Sequence, residues 1–309
     1  MAKKKTLSGI WSIIKKSFAG FLDNNILKLS AALAYYTVFS FAPLLIVLIY
    51  ACSIFFGRKA VEGSIYNQIQ HFVGSDTAIQ LQQIIKNATI SGSGNVAITI
   101  GIITLVIGAT SIFAEIQDSI NIIWGLKAKP KMGLIIFLKN RLLSFGVIGS
   151  LGFLLLVSLG ISAIVEGIGH RLQYYLPSLT VVMIYIINTS IVFGITVVLF
   201  AVIFKVLPDA NIKWNDVWAG AIATTILFVL GKFGIAFYIS KSKVGTTYGT
   251  AGALVVLLVW IYYSSVILYF GAEFTKNWAV AFRNGITPSS YAVVVERPEI
   301  EKKNETVKA

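Results

Sequence analysis

Long apolar stretches alternate with shorter polar ones along most of this chain. Spanning a bilayer takes about 20 mainly apolar residues, because a helix rises about 1.5 Å per residue through a hydrocarbon layer of about 30 Å. Six stretches are long enough, and we predict membrane-spanning helices at 30–56, 96–114, 142–165, 178–204, 217–239 and 250–275. An even number of spans places both termini on the same side of the membrane.

The segment before the first span has a different helical pattern. Its apolar residues form one stripe, made of Leu7, Ile10, Trp11, Ile14, Phe18, Phe21 and Leu22. Lys15 and Lys16 lie off that stripe, which predicts an amphipathic helix lying on the membrane, although a helix that docks on a soluble partner would have the same stripe. A second segment of this kind, EIQDSINIIWGLK at 115–127, follows the second span and is expected to bend along the inner surface.

Composition and charge agree with a membrane location. Of 309 residues, 56% are hydrophobic and 13% charged, which is far more apolar than an ordinary soluble domain. The net charge of +13 would suit either nucleic acid or an anionic membrane surface, so the placement of the basic residues decides. The N-terminal arm, second loop, fourth loop and C-terminal tail hold six, five, two and six of the 26 Lys and Arg residues. We therefore predict that both termini face the cytoplasm and contact anionic inner-leaflet lipids, with no nucleic-acid partner.

The predicted fold class is an all-α polytopic membrane protein with three parts. These are a cytoplasmic amphipathic arm at 1–29, a six-helix transmembrane domain at 30–275 and a cytoplasmic tail at 276–309. The outer loop at 57–95 is the one long loop, and its apolar spacings predict two short helices that cap the outer face. Cys52 is the only cysteine, which excludes an internal disulfide and a cysteine-based zinc site. We expect neither a metal nor a cofactor.

Three segments carry a family resemblance: AALAYYTVFSFAPLLIVLI in the first predicted span, FKVLPDANIKWNDVWAGAIATTILFVLGK entering the fifth and YGTAGALVVLLVWIYYSSVILYFGAEFT in the sixth. In order and spacing they resemble the YihY/BrkB family of bacterial inner-membrane proteins, as far as Thr275. The resemblance implies a multi-pass, six-helix fold in the bacterial inner membrane. It also brings a historical ribonuclease name and proposed roles in virulence, envelope lipids and solute transport. Val266 stands where the family motif often has a polar Gln, which removes a polar contact from the sixth span.

The residues argue against ribonuclease activity. Hydrolysis of RNA needs either a metal held by His and carboxylates or a paired acid and base. His71 and His170 are the only histidines, and both fall on the predicted outer face, away from cytoplasmic RNA. The sequence also lacks a Walker-type phosphate loop, HExxH and GxSxG. We expect no catalytic residues and no enzymatic activity.

Polar residues inside the predicted spans are candidates for a substrate path, because an intramembrane charge costs roughly 2.5 to 3.5 kcal/mol on insertion scales. Lys232 interrupts the outer half of the fifth span, where it either lines a polar cavity or extends to the outer headgroups. A cavity would use the polar residues predicted at similar depth and the nearest outer carboxylate, which are Asn188, Thr189, Ser190 and Glu166. Tyr262 and Tyr263 fall in the middle of the sixth span, where their hydroxyls need partners.

Four charged residues near the cytoplasmic ends of the spans are candidates for a gate. Glu115 and Glu273 fall near the cytoplasmic ends of the second and sixth spans, and Glu273 ranks higher because it belongs to the motif FGAEFT. Lys205 and Asp209, in FKVLPD, are placed to pair with Glu273. The alternative is that Pro208 ends the fourth span and these charges face water.

The sequence therefore favours a membrane protein that translocates a lipid or another amphipathic or polar solute between spans three and six. An anionic amphiphile suits Lys232 in the outer half and the basic residues along the inner leaflet. The alternative is a non-transporting envelope scaffold or assembly factor, whose outer loop and basic arms bind partners or lipids. Either function is compatible with an oligomer.

Overall fold

A computed structural model describes residues 7–40, 79, 95–129, 177–241, 252–282 and 285–295. Within these ranges the helices are α1 Leu7–Asp23, α2 Ile26–Ser40, α3 Asn95–Trp124, α4 Pro177–Val206, α5 Trp214–Lys241 and α6 Gly252–Phe282. The strands are β1 Leu126–Ala128, β2 Ala210–Asn211, β3 Thr287–Pro288 and β4 Ala292–Val294. The predicted third span at 142–165 and nearly all of the outer loop at 57–95 lie outside the described residues.

Among the described helices, three are long and apolar enough to cross a bilayer. Their candidate spans are Val182–Val206 in α4, Trp214–Ile235 in α5 and Leu254–Phe282 in α6. These overlap the fourth, fifth and sixth predicted spans. Helix α2 is the described part of the first predicted span, and α3 contains the second. The total of six spans and the orientation of the termini stay predictions.

Helix α3 is longer than the span predicted inside it. The sequence predicted that residues 115–127 bend along the membrane surface, and this was wrong, because residues 115–124 continue α3 without a break. The helix has 30 residues and is about 45 Å long. Ile120 and Ile123 are fully buried in the core shared with α4 and α6, so the apolar stripe packs against protein. The helix ends at Trp124, and the next residue, Gly125, has a φ of +68°, the left-handed conformation common after helix C-termini.

The four strands lie at one end of the helices, which we call the strand-bearing end and which comprises the described residues of 124–129, 206–213 and 282–295. Strand β4 pairs antiparallel with β1, and β3 pairs antiparallel with β2. The backbone N–H of Val295 also donates to Gly125, and that of Ser289 donates to Asp209. The segment after α6 therefore ties the connection after α3 to the connection between α4 and α5.

Helices α5 and α6 meet along a seam of paired glycines and threonines. A Cβ added to Gly220 would collide with the Thr275 hydroxyl, and one added to Gly271 would collide with the Thr224 hydroxyl. Each threonine hydroxyl donates to a carbonyl four residues earlier in its own helix, at 2.7 Å. Small residues allow helices to approach closely in a membrane, and the threonines keep their hydroxyls satisfied at the contact.

This seam makes a stability prediction. The substitution Gly271→Ala would force the Thr224 side chain or the helices apart, and we expect a loss of about 1–3 kcal/mol from overpacking. Thermal unfolding of the purified protein in detergent measures the effect. Gly194→Ala in α4 is the matched control, because its Cβ would meet nothing within 4 Å and alanine favours a helix. Equal unfolding midpoints for the two variants would contradict the seam.

Candidate functional site

Asp209 is a buried carboxylate at the strand-bearing end. Helix α4 ends just before Pro208, and the chain then turns inward and leaves Asp209 only 4% exposed. Gln117 Nε2 and Asn121 Nδ2 each donate to its carboxylate at 2.8 Å, and its backbone N–H donates to Asn121 Oδ1 at 2.9 Å. The Tyr291 hydroxyl lies beside the same carboxylate. Asp209 thus joins α3, the α4–α5 connection and the segment after α6.

Both sequence-based interpretations of Asp209 were wrong, since it neither pairs with Glu273 nor faces water. Pro208 does end the fourth span, but the amides of α3 supply the donors that the buried carboxylate needs. The signal was present in the sequence. Gln117 and Asn121 are four residues apart, so they share one face of the helix.

Lys205 also differs from its prediction as a partner of Glu273. Its amino group donates to the carbonyl of Ile212 and lies 5.9 Å from the centre of the Trp214 ring. Both contacts lie within the α4–α5 connection, so Lys205 holds the start of α5 against the end of α4. The cation and the ring attract each other electrostatically.

Glu273 is the second buried carboxylate of this end, with 2% of its surface exposed. Asn277 Nδ2 donates to Oε1 at 2.9 Å, Asn24 Nδ2 donates to Oε2 at 3.2 Å, and Lys276 Nζ lies 3.3 Å from Oε2. A Cβ on Gly20 would collide with this carboxylate, so the glycine lets α1 approach α6. Glu273 therefore joins α1, the α1–α2 turn and α6.

The end of α3 docks on the same part of α6. Lys276 Nζ donates to the carbonyl of Ile123 at 2.7 Å, and Trp124 Nε1 donates to the carbonyl of Ala272 at 3.0 Å. Removing one partner from a buried ion pair is usually strongly destabilising. The residues predicted as a gate at this end, Asp209, Lys205 and Glu273, therefore hold helices together. The fourth, Glu115, is half-buried in α3 and accepts a hydrogen bond from Ser119 Oγ at 3.2 Å.

The residues predicted to line a substrate path occupy different environments. Lys232, Thr189 and Ser190 are exposed, whereas Asn188 and Tyr262 are half-buried. Glu166 lies outside the described residues. The Tyr263 hydroxyl donates to the carbonyl of Leu227 at 3.3 Å and packs against Gly231. Tyr263 thus serves in the contact between α5 and α6.

The position of Lys232 along α5 favours a side chain that extends to the headgroups over one that lines a polar cavity. It lies 18 residues beyond Trp214 on the same helix, which is about 27 Å along the axis and close to the hydrocarbon thickness. It is also three residues before the end of the candidate span at Ile235. Trp214 and Trp218 are exposed at the other end, as expected for residues in the headgroup layer. This spacing favours a lysine that extends to the opposite headgroups.

An apolar groove of about 480 Å³ lies between α1, α5 and α6. Every side chain around it is apolar: Ile10, Ile14, Phe18 and Phe21 of α1, Ala223, Ile226 and Leu227 of α5, and Val266, Ile267, Phe270 and Phe274 of α6. The volume falls within the range of small-molecule pockets, about 300–1,000 Å³. Such a lining suits a hydrocarbon chain and offers no polar contact for a headgroup.

The groove explains why the apolar stripe of α1 is so wide. Ile13 and Ser17, which lie off the predicted stripe, are buried against α6. The Phe18 and Phe21 rings lie 5.1 and 6.1 Å from the Phe270 ring, at the edge of the groove. Trp11 is 71% exposed. One side of α1 therefore packs on protein, the next faces the groove and a third stays exposed. Hydropathy alone could not distinguish these three sides.

The Asp209 cluster predicts a local loss of structure in the variant Asp209→Asn. The amide keeps the shape but loses the charge-assisted bonds, and we expect a loss of about 1–3 kcal/mol. Segment 285–295 would loosen, so trypsin should cleave faster after Lys127, which lies in β1 opposite Val293 of that segment. The matched control is Asp23→Asn at an exposed position. Equal cleavage rates in the two variants would argue against this role of Asp209.

Tyr291 predicts a pH dependence at the same cluster. Burial, and then the nearby Asp209 carboxylate, raise the pKa of the Tyr291 hydroxyl above its usual value of about 10. The folded state thus favours the neutral phenol, so this stabilisation is complete below about pH 10 and is lost as the pH rises through the raised pKa. The unfolding midpoint should fall more steeply above pH 10 in the wild type than in Tyr291→Phe. Tyr238→Phe, at an exposed tyrosine, should keep the wild-type slope.

Comparison with known proteins agrees with these segments. A family model described as virulence factor BrkB matches residues 17–288. A UPF0761 membrane protein of Alteromonas mediterranea is 25% identical over 267 residues, covering 85% of this chain and 86% of the relative. One from Stenotrophomonas maltophilia is 30% identical over 271 residues, covering 85% of this chain and 59% of the relative. No solved structure matches the chain.

The region matched by the family model extends from the second half of α1 to β3. It therefore contains the candidate spans, Asp209, Glu273 and most of the groove. It also contains all three sequence segments that carried the resemblance. The chain belongs to the YihY/BrkB family of membrane proteins.

Proposed function

We propose that this protein translocates a lipid, or another amphipathic solute with a hydrocarbon chain, across the bacterial inner membrane. The observation that supports this best is the apolar groove between the amphipathic helix α1 and the candidate spans α5 and α6. A hydrocarbon chain enters such a groove sideways from the bilayer. Its headgroup stays outside, near the charged residues at the helix ends.

The groove suits passage better than tight storage. Lipid tails are as apolar as leucine, so a chain that leaves the bilayer for the groove gains little from the hydrophobic effect. Its entry is therefore close to balanced in free energy. A weak site of this kind shortens the path of the headgroup without trapping the lipid.

The charges favour an anionic headgroup. Lys15, Lys16 and Lys213 are exposed near the strand-bearing end, and Lys232 lies about 27 Å from Trp214 along α5. A basic residue near a membrane surface attracts anionic lipid by about 1 kcal/mol. If the strand-bearing end faces the cytoplasm, anionic lipid meets basic side chains on both sides of the bilayer.

Translocation of a fluorescent phosphatidylglycerol in liposomes that contain the purified protein tests this function. In Val266→Trp the indole would fill the groove, and we expect translocation to slow by roughly tenfold, equivalent to about 1.4 kcal/mol of added barrier. The matched control is Val280→Trp, because Val280 is 59% exposed on α6 and is not among the residues that line the groove. That variant should keep the wild-type rate.

Two outcomes would contradict the proposal. Wild-type protein that moves no lipid above the rate of protein-free liposomes would remove lipid translocation and favour the envelope scaffold. Equal slowing by both tryptophan variants would show that the groove is not the path. Matching unfolding midpoints for the two variants exclude misfolding as the cause of a difference.

A further inference from the structure

Tyr269 of α6 has an unusual environment for a tyrosine. The residue is fully buried, and its hydroxyl has no hydrogen-bond partner among the residues that the structure describes. A buried hydroxyl without a partner is costly, and in native proteins it usually indicates a bound water or ion. The hydroxyl is therefore a sign that something else occupies this part of the core.

Two polar residues of α3 lie near that hydroxyl. The Ser119 side chain lies beside it without hydrogen-bond geometry, and Glu115 is close enough to affect it electrostatically. Glu115 and Ser119 are four residues apart and thus share one face of α3. Ser119 is 1% exposed, and its hydroxyl donates to Glu115 Oε1 at 3.2 Å. Three oxygen-bearing side chains from two helices therefore converge.

Glu115 receives fewer hydrogen-bond donors than Asp209 and Glu273. Asp209 receives two side-chain amides, and Glu273 receives two amides and an ammonium group. In the described part of the chain, the hydrogen bond from Ser119 is the one that Glu115 accepts. Its carboxylate keeps free lone pairs, as do the oxygens of Ser119 and Tyr269.

We propose that Glu115, Ser119 and Tyr269 bind a monovalent alkali cation between α3 and α6. All three groups offer the hard oxygen ligands that such ions prefer, and Ser119 can donate to Glu115 while its oxygen still accepts the ion. One carboxylate with two neutral hydroxyls is neutralised by a single positive charge. A divalent ion would leave an uncompensated charge in the core and generally takes more carboxylates.

The neighbouring carboxylate does not belong to this site. Asp118 lies on the exposed side of α3 and has a contact of its own. It adds negative potential near Tyr269 without reaching the buried position. The inference does not depend on lipid translocation, because the three ligands lie outside the groove.

Thermal unfolding in detergent tests the site, with sodium chloride replaced stepwise by choline chloride at constant ionic strength. The wild-type unfolding midpoint should rise with sodium and saturate, because an ion that binds the folded state stabilises it. Glu115→Gln should lose this rise. The matched control is Asp118→Asn, three residues further along the same helix, and it should keep the rise with sodium.

Tyr269→Phe separates a binding role from a structural one. Removing the unpartnered hydroxyl should raise the midpoint in choline, because the buried polar group is gone. The same variant should require at least about tenfold more sodium for its remaining rise, since it lacks one ligand. A lower midpoint with an unchanged sodium response would indicate packing alone and would overturn the proposal.

Three other results would also overturn it. One is a wild-type midpoint that is the same in sodium and choline, which would leave a bound water as the occupant. Another is an equal sodium response in Glu115→Gln and in the wild type. The third is a response that Asp118→Asn loses as completely as Glu115→Gln, since surface charge would then be the cause.

Discussion

A carboxylate buried between apolar helices is stable only when N–H donors surround it, and Asp209 and Glu273 impose this requirement on the strand-bearing end. Each receives at least one amide donor from a different element of the fold, so the elements must pack together. Asp209 needs the amides of α3, and Glu273 needs Asn24 from the α1–α2 turn. The docking of α3, α4 and α6 and the place of α1 depend on these two charges.

The groove follows from this arrangement. Helix α1 is attached to α6 along the side that carries Ile13, Ser17 and Gly20, where Asn277 and Glu273 provide polar contacts. That attachment fixes α1 near α6 while its adjacent side stays clear of α5. The space between them is lined by apolar side chains alone. Polar contacts hold one side of α1 on α6, and the adjacent apolar side of α1 borders a lipid-sized groove. A lipid tail can therefore enter the groove without unfolding of the helices.

Hydropathy predicted α4, α5 and α6 because their apolar runs have the length of a bilayer. It failed for residues 115–124 of α3, since an apolar stripe looks the same whether it faces lipid or another helix. Ile120 and Ile123 face protein. The prediction of polar contacts failed for another reason. We expected the charged residues to pair with one another, whereas the Asp209 carboxylate accepts hydrogen bonds from neutral amides. The four-residue spacing of Gln117 and Asn121 indicates a shared face only once α3 is known to continue through them.

The use of neutral donors has a consequence for charge. Because amides satisfy Asp209, that carboxylate does not take up a lysine, and Lys276 is the lysine that pairs with Glu273. Within the described residues, Lys15 and Lys213 are exposed and form no ion pair. The protein thus stabilises its buried acids without neutralising its basic surface. Anionic lipid is the counter-charge that a membrane supplies, and this agrees with a groove that accepts the tail while the lysines remain available to the headgroup.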